Sequence, residues 1–182
     1  MTVQIRSRLS LLDVAAAVLV ADPAAALADV AEAIGISRTT LHKHYSTRDA
    51  LLTAVGHRAI DLWEQAVAAV DTDSADGGLR ALTDAMVPIG PQLAFLWRTP
   101  AFDHSCEIGT RWEAAEARGH AVLLAARDRG VLAADLPDWW IQQTFYSLVY
   151  VAAESVRTGH LAPRDATDRV LATLLHGIGA RS

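Results

Sequence analysis

The sequence has little of what several common protein classes require. Its 182 residues include one cysteine, Cys106, so an intrachain disulfide and a cysteine-based zinc cluster are both excluded. A single cysteine is compatible with a reducing compartment. With 11 glycines, 6 prolines and 52% hydrophobic residues, the chain also lacks the composition of collagen-like or low-complexity disordered proteins. A chain of this length is expected to fold as one or two domains with a substantial core.

Long apolar runs are missing as well. A membrane-spanning helix needs about eighteen or more consecutive apolar residues. The most apolar early segment, residues 9–27, is interrupted by Asp13, Asp22 and Pro23. Arg6 and Arg8 precede it, but no cleavage site follows a clean apolar stretch, so the segment is interpreted as an amphipathic helix and not as a signal peptide. We therefore expect a cytoplasmic protein without a membrane partner.

Positive charge is scarce and unevenly distributed. The net charge is −5, but residues 1–48 hold five basic against four acidic residues, whereas residues 49–182 hold eleven against seventeen. Lys43 is the only lysine in the chain. The first quarter of the sequence is therefore the part that an anionic polymer would prefer.

Nearly every segment that is present has helical periodicity, and alanine is abundant. Proline, glycine and helix-capping residues divide the chain, and residues 71–78 form its clearest loop. The pattern predicts an all-α protein of about nine helices. These are expected at about 8–20, 25–35, 37–45, 48–70, 78–87, 91–98, 105–129, 137–158 and 163–176.

The second and third predicted helices have the layout of a helix-turn-helix. Leu27, Val30, Ala31 and Ile34 share one helical face, and the turn at 35–37 contains a glycine. A short helix, a glycine-containing turn and a second helix at a steep angle leave the outer face of the second helix free to enter a major groove.

The outward face of that third helix is built from hydrogen-bond donors and has no acid. Arginine and lysine suit guanine edges, threonine suits bases or a thymine methyl group, and histidine suits phosphates. Arg48, at the start of the fourth helix, is expected to reach a backbone phosphate. The alternative is that residues 37–48 are only a solvated polar helix. The predicted DNA-binding residues are Arg38, Thr39, Thr40, His42, Lys43, His44 and Arg48.

The run LADVAEAIGISRTTLHKHYSTRDALLTAV resembles the DNA-binding domain of the tetracycline-repressor (TetR) family. The similarity extends back over LLDVAAAVLVADPAAA, and it covers about residues 8–56. The resemblance implies a three-helix helix-turn-helix domain at residues 1–48, followed by a helical ligand-binding and dimerisation domain at residues 49–182.

The second predicted domain concentrates large aromatic side chains. Core packing is the default explanation for such residues, but the resemblance implies a small-molecule site among these helices. His104, Glu107, Gln142 and Gln143 are polar candidates nearby. The residues expected to line the site are Trp63, Phe95, Trp112, Phe145 and Tyr146.

The last two predicted helices are strongly apolar and are joined by a short glycine-containing loop. Such a hairpin would expose a sizeable apolar patch unless a second copy covered it. Packing of the hairpin on its own domain is the alternative. The predicted homodimer interface consists of Leu148, Ala152, Val156, Val170, Leu171, Leu174 and Leu175.

Other chemistries find no support in the sequence. His42 and His44 are two apart on a helix and do not face each other, so a metal site is not expected. No nucleophile elbow, phosphate-binding loop or dinucleotide fingerprint occurs, so no enzyme activity and no cofactor are expected. The resemblance to the TetR family implies a ligand-responsive regulator, most commonly a repressor in that family, that binds an inverted-repeat DNA operator as a homodimer and is released by a small hydrophobic effector. The alternatives are a helical small-molecule-binding protein or enzyme with a vestigial DNA-binding domain, and a helical protein-binding adaptor.

Overall fold

The computed structural model describes residues 11–99, 102 and 106–179. This part of the chain is all-α, as predicted, with nine α-helices and one 3-10 turn at Val87–Ile89. The helices are α1 (Leu11–Ala21), α2 (Leu27–Ile34), α3 (Arg38–His44), α4 (Arg48–Ala68), α5 (Leu79–Met86), α6 (Gly90–Arg98), α7 (Cys106–Asp128), α8 (Asp138–Arg157) and α9 (Pro163–Ile178). Arg6, Arg8 and His104, which the sequence analysis singled out, lie outside the described residues.

The helix ends follow local capping chemistry. Asp22 accepts a hydrogen bond from the Ala24 N–H at 2.9 Å, directly after α1 ends. Thr47 caps α4 by accepting the Ala50 N–H at 3.1 Å. Side-chain acceptors at these positions satisfy backbone donors that would otherwise lack partners. Helix boundaries predicted from Gly, Pro, Ser and Thr therefore lie within a few residues of the observed ones.

The described chain forms two compact units. Unit 1 comprises residues up to Asp61 together with Pro91–Thr110, and unit 2 comprises Leu62–Gly90 together with the chain from Arg111 onward. Both α4 and α7 contribute residues to both units. The domain boundary predicted from the sequence lies between residues 48 and 49, so it does not coincide with the limits of these two units. It stays a prediction.

Each unit has its own apolar core. In unit 1, fully buried residues from α1 to α4 meet, among them Ala15, Val30, Leu41 and Val55. In unit 2, Trp63, Leu82, Phe145 and Leu174 are 0% exposed. The longest described helices are not apolar enough to cross a membrane.

Candidate functional site

The α2–α3 segment forms the expected helix-turn-helix. The Ala26 N–H donates to the Asp29 carboxylate at 2.8 Å and so fixes the start of α2. Gly35 ends α2 with φ = 81°, a left-handed conformation that glycine adopts without steric cost. The Ile36 N–H then donates back to the Ala31 carbonyl at 3.0 Å, which tightens the turn before α3.

Helix α3 is anchored by one apolar residue and displays its polar ones. Ser37 caps the helix by accepting the Thr40 N–H at 3.0 Å, and Leu41 is fully buried. Six of the seven side chains of α3 are exposed, and all six contain hydrogen-bond donors: Arg38, Thr39, Thr40, His42, Lys43 and His44. The first turn of α3 contains no acid. The face has the chemistry that DNA phosphates and base edges require.

Two members of the predicted DNA-binding set also have partners within the chain. The Thr40 hydroxyl lies 2.8 Å from the Ser37 hydroxyl, so it belongs to the cap of α3. The Arg48 guanidinium donates to the carbonyls of Pro23 and Ala25 and is half-buried. Arg48 therefore fastens the loop between α1 and α2 to the start of α4. Its predicted phosphate contact stays untested.

A buried ion pair connects the first and fourth helices of unit 1. The Arg58 guanidinium donates to both carboxylate oxygens of Asp13, at 3.2 and 3.3 Å. Asp13 is only 7% exposed, so the pair neutralises a charge that would be costly to bury alone. Since α1 packs against α2, and α2 packs against α3, this pair helps to fix the surface from which α3 projects.

Four of the five predicted ligand-binding aromatics cluster in unit 2. The Trp63 ring lies 5.8 Å from that of Trp112 and 6.0 Å from that of Tyr146, which also packs beside Phe145. The Trp63 indole N–H donates to the Ala115 carbonyl at 2.8 Å, so the ring is fixed in place. Trp112 is half-buried, whereas the other three are buried.

Phe95, the fifth predicted aromatic, belongs to unit 1. It packs against Phe102 at a ring distance of 5.5 Å. It also lines a cavity of about 180 Å³, together with Leu52, Arg48 and Arg98. The prediction that Phe95 lines the same ligand site as the other four aromatics stays a prediction.

Three polar residues border the unit 2 cluster. Glu116, His120 and Gln142 are all half-buried, and the Gln142 side chain interacts with both the Glu116 carboxylate and the Tyr146 hydroxyl. Burial raises the pKa of the Glu116 carboxyl, and the interactions with Gln142 and His120 only partly oppose that rise. Burial also raises the pKa of the Tyr146 phenol.

Of these three residues only Gln142 was predicted from the sequence, whereas Glu116 and His120 were not. Both lie on the same face of α7 as Trp112, at successive intervals of four residues, and this spacing was visible in the sequence.

The predicted dimer residues are mostly core residues of one protomer. Ala152, Val170, Leu171 and Leu174 are at most 6% exposed, because α8 and α9 pack against each other and α9 also packs against α5. These four side chains are covered within one copy of the chain, and the predicted interface stays a prediction. Leu148 and Val156 are half-buried, and Leu175 is 39% exposed. Val151, which was not predicted, is 57% exposed.

Comparison with known proteins agrees with this geometry. The family model for bacterial regulatory proteins of the tetR family matches residues 11–55, which contain α1, α2, α3 and the start of α4. Over these residues the chain is similar to TetR-family regulators, and the relatives that match nearly its whole length are named transcriptional regulators.

Two curated relatives extend over nearly the whole chain. The transcriptional repressor LfrR of Mycolicibacterium smegmatis is 27% identical over 175 residues, which is 95% of this chain and 90% of LfrR. The transcriptional regulator NfxB of Pseudomonas aeruginosa is 29% identical over 169 residues, which is 90% of each chain. The crystal structure of LfrR in complex with proflavine matches with a TM-score of 0.74, covering 98% of this chain and 99% of that one.

Proposed function

We propose that this regulator is an effector-controlled repressor, which binds an inverted-repeat operator as a homodimer and leaves it when a small planar aromatic molecule binds. The observation that carries the proposal is α3, with Leu41 buried beneath six exposed donor side chains. Repression is the role named for the relative LfrR.

The short length of α3, the helix proposed to contact DNA bases, favours a homodimer. Helix α3 has seven residues and reaches only a few base pairs. Two copies related by a twofold axis would place two such helices in major grooves about 34–36 Å apart, on an inverted repeat. The exposed apolar side chains of Val151 on α8 and Leu175 on α9 support a partner at this hairpin.

The effector site is assigned to the aromatic cluster of unit 2. Trp112 is half-buried beside the buried Trp63, so a flat ligand would find one aromatic face that is already partly open. Mostly apolar sites with a few polar groups are typical of small-molecule pockets. The LfrR structure contains proflavine, a planar aromatic compound, which supports the same ligand class here.

DNA binding is tested with Lys43→Ala and Arg38→Ala, measured by fluorescence anisotropy on duplexes from the region upstream of the gene. Each base contact that is lost costs about 1–3 kcal/mol, so each variant should bind at least about fivefold more weakly. Arg164→Ala removes an exposed arginine from α9 and serves as the matched control. Unchanged affinity in the two α3 variants, with normal helical circular dichroism, would contradict the proposal.

The vestigial-domain alternative predicts a different result from the same experiment. A helical ligand-binding protein that had lost DNA recognition would bind every duplex weakly and equally. The acid-free, exposed surface of α3 argues against that alternative, because no acid on that helix would repel phosphate.

A further inference from the structure

An unusual carboxylate lies at the border of the unit 2 aromatic cluster. Glu116 is on α7, one turn after Trp112 and one turn before His120. At this place the Trp63 ring centroid lies 5.8 Å from that of Trp112 and 6.0 Å from that of Tyr146. A single acidic side chain is thus combined with several aromatic rings.

Among the described residues Glu116 makes no ion pair with an arginine or lysine; His120 on the same helix interacts favourably with its carboxylate and Glu113 unfavourably. Glu64, on α4 of the same unit, is bridged by Arg111 at 2.7 Å and by Arg118 at 3.7 Å. In the described part of the chain, the hydrogen-bond partner of the Glu116 carboxylate is the neutral amide of Gln142. Arg111 and Arg118 on this stretch of α7 are therefore engaged by Glu64, and neither forms an ion pair with Glu116.

We propose that Glu116 is the specificity-determining residue of the effector site, and that it makes the site select aromatic cations over neutral aromatic molecules of the same shape. This inference rests on the effector site assigned above. A ligand cation beside Glu116 would supply the missing counter-charge. The partly exposed ring of Trp112 would add cation–π attraction to the stacking of the ligand rings.

Two further observations agree with a ligand at this position. Burial raises the pKa of the Glu116 carboxyl, so the site disfavours an uncompensated negative charge and a bound cation would relieve that cost. The Nε2 atom of His120 is buried and has no hydrogen-bond partner among the described residues. A ligand with a ring nitrogen or amino group would give that atom a partner.

The experiment compares two tricyclic dyes that share one ring frame. At pH 8, proflavine is a cation and acridine is neutral, and their binding to the whole protein is measured by quenching of tryptophan fluorescence and by calorimetry. We expect the wild-type protein to prefer proflavine by about tenfold or more. Glu116→Gln should remove that preference while leaving the dissociation constant of acridine within about twofold.

The control variant is Asp128→Asn, which removes an exposed carboxylate at the far end of the same helix. It changes the net charge by the same amount, so it should leave the proflavine preference intact. Glu116→Asp keeps the charge and should keep part of the preference. Thermal unfolding of each variant checks that the fold is unchanged.

Three outcomes are distinguished. Equal affinity of the wild-type protein for both dyes, or wild-type proflavine binding by Glu116→Gln, would overturn the charge selectivity while leaving an effector site in place. Binding of neither dye would overturn the selectivity together with the assigned site. Glu116-dependent proflavine binding that does not release the operator would support the selectivity and contradict the proposed regulation. Because proflavine also binds DNA, the release assay takes Glu116→Gln with the same duplex and dye as its reference.

Discussion

Asp76 shows how one side chain can organise a loop at the residue scale. It accepts hydrogen bonds from the Arg80 N–H at 2.9 Å, the Gly78 N–H at 3.1 Å and the Ser74 hydroxyl at 3.0 Å. Burial raises the pKa of its carboxyl, but these three donors outweigh burial and hold the pKa below the usual 3.8. The charged form of Asp76 therefore stabilises the start of α5.

This arrangement predicts a pH-dependent effect of Asp76→Ala. Because the folded-state pKa is depressed, the stabilisation is present above pH 3.8 and is lost as the pH falls through the lower folded value. At pH 7 the variant should lose about 1 kcal/mol of unfolding free energy, the usual cost of a lost cap. Chemical denaturation at pH 7 and about pH 3 measures the difference between variant and wild type, which should shrink at the lower pH.

Asp73→Ala is the control for this prediction, since Asp73 is an exposed loop carboxylate whose ion pair with Arg129 spans 3.4 Å. Exposed pairs of this kind contribute about 0–1 kcal/mol. An Asp76→Ala penalty that is the same at both pH values would contradict the role given to the charge.

At the scale of helices, α7 approaches α4 closely because one of its residues is glycine. A Cβ atom at Gly119 would lie 2.3 Å from the Trp63 Cζ2 atom and 3.3 Å from the Tyr146 hydroxyl oxygen. The Trp63 ring has no freedom to retreat, since it is fully buried and its N–H is bonded to Ala115. Gly119 therefore sets the spacing of the aromatic cluster.

Gly119→Ala should destabilise the protein by about 1–3 kcal/mol through overpacking, despite the higher helix propensity of alanine. The matched control is Gly177→Ala on α9, where a Cβ would meet nothing within 4 Å. That control should be neutral or stabilising by up to about 1 kcal/mol. Thermal and urea unfolding measure both, and a neutral Gly119→Ala would show that the two helices can separate without cost.

The α8–α9 hairpin carries the prediction about assembly. Val151→Glu combined with Leu175→Glu places charge on exposed apolar positions, so the helical circular dichroism should be retained while a dimer dissociates. Analytical ultracentrifugation gives the mass in solution. Ala121→Glu, at an exposed position of α7, is the control and should stay dimeric. A double variant that remains a dimer would locate the interface elsewhere.

The helices themselves were predictable, because their ends depend on local chemistry. Gly35, Ser37 and Thr47 act through neighbours within a few residues, so their roles are visible in the sequence alone.

The buried face of α8 was not predictable. The helix has apolar residues around much of its circumference, and periodicity cannot say which of them face α9 and which face outward. Val170 and Leu171, on α9, are likewise buried because α9 packs against α8 and α5.

The candidate sites were predictable to different extents, because some of their contacts are local in the sequence and others arise only from tertiary packing. The exposed residues of α3 were assigned correctly as surface residues, because one short motif fixes both the turn and the outward face. The Arg48 contact with Pro23 and Ala25 joins positions more than twenty residues apart, and nothing local signals it. Glu116 and Gln142 likewise come together only when α7 packs beside α8.

For the whole molecule, DNA binding has to overcome an unfavourable overall charge. The chain carries −5, so attraction to a polyanion must come from a local surface, and α3 holds the only lysine. Binding should therefore weaken steeply with added salt. The slope of log affinity against log salt concentration changes by about 0.9 for each phosphate neutralised.

Lys43→Ala tests this charge argument and the twofold assembly together. If Lys43 neutralises one phosphate in each protomer, the variant should reduce the magnitude of the salt slope by about two in a dimer but only by about one in a monomer. Anisotropy titrations between about 50 and 200 mM salt measure the slope. Arg164→Ala should leave it unchanged, since an exposed arginine at the start of α9 lies in unit 2, away from α3 in the sequence and outside its compact unit. A flat salt response in the wild-type protein would rule out electrostatic recognition by α3, whatever the affinity at a single salt concentration.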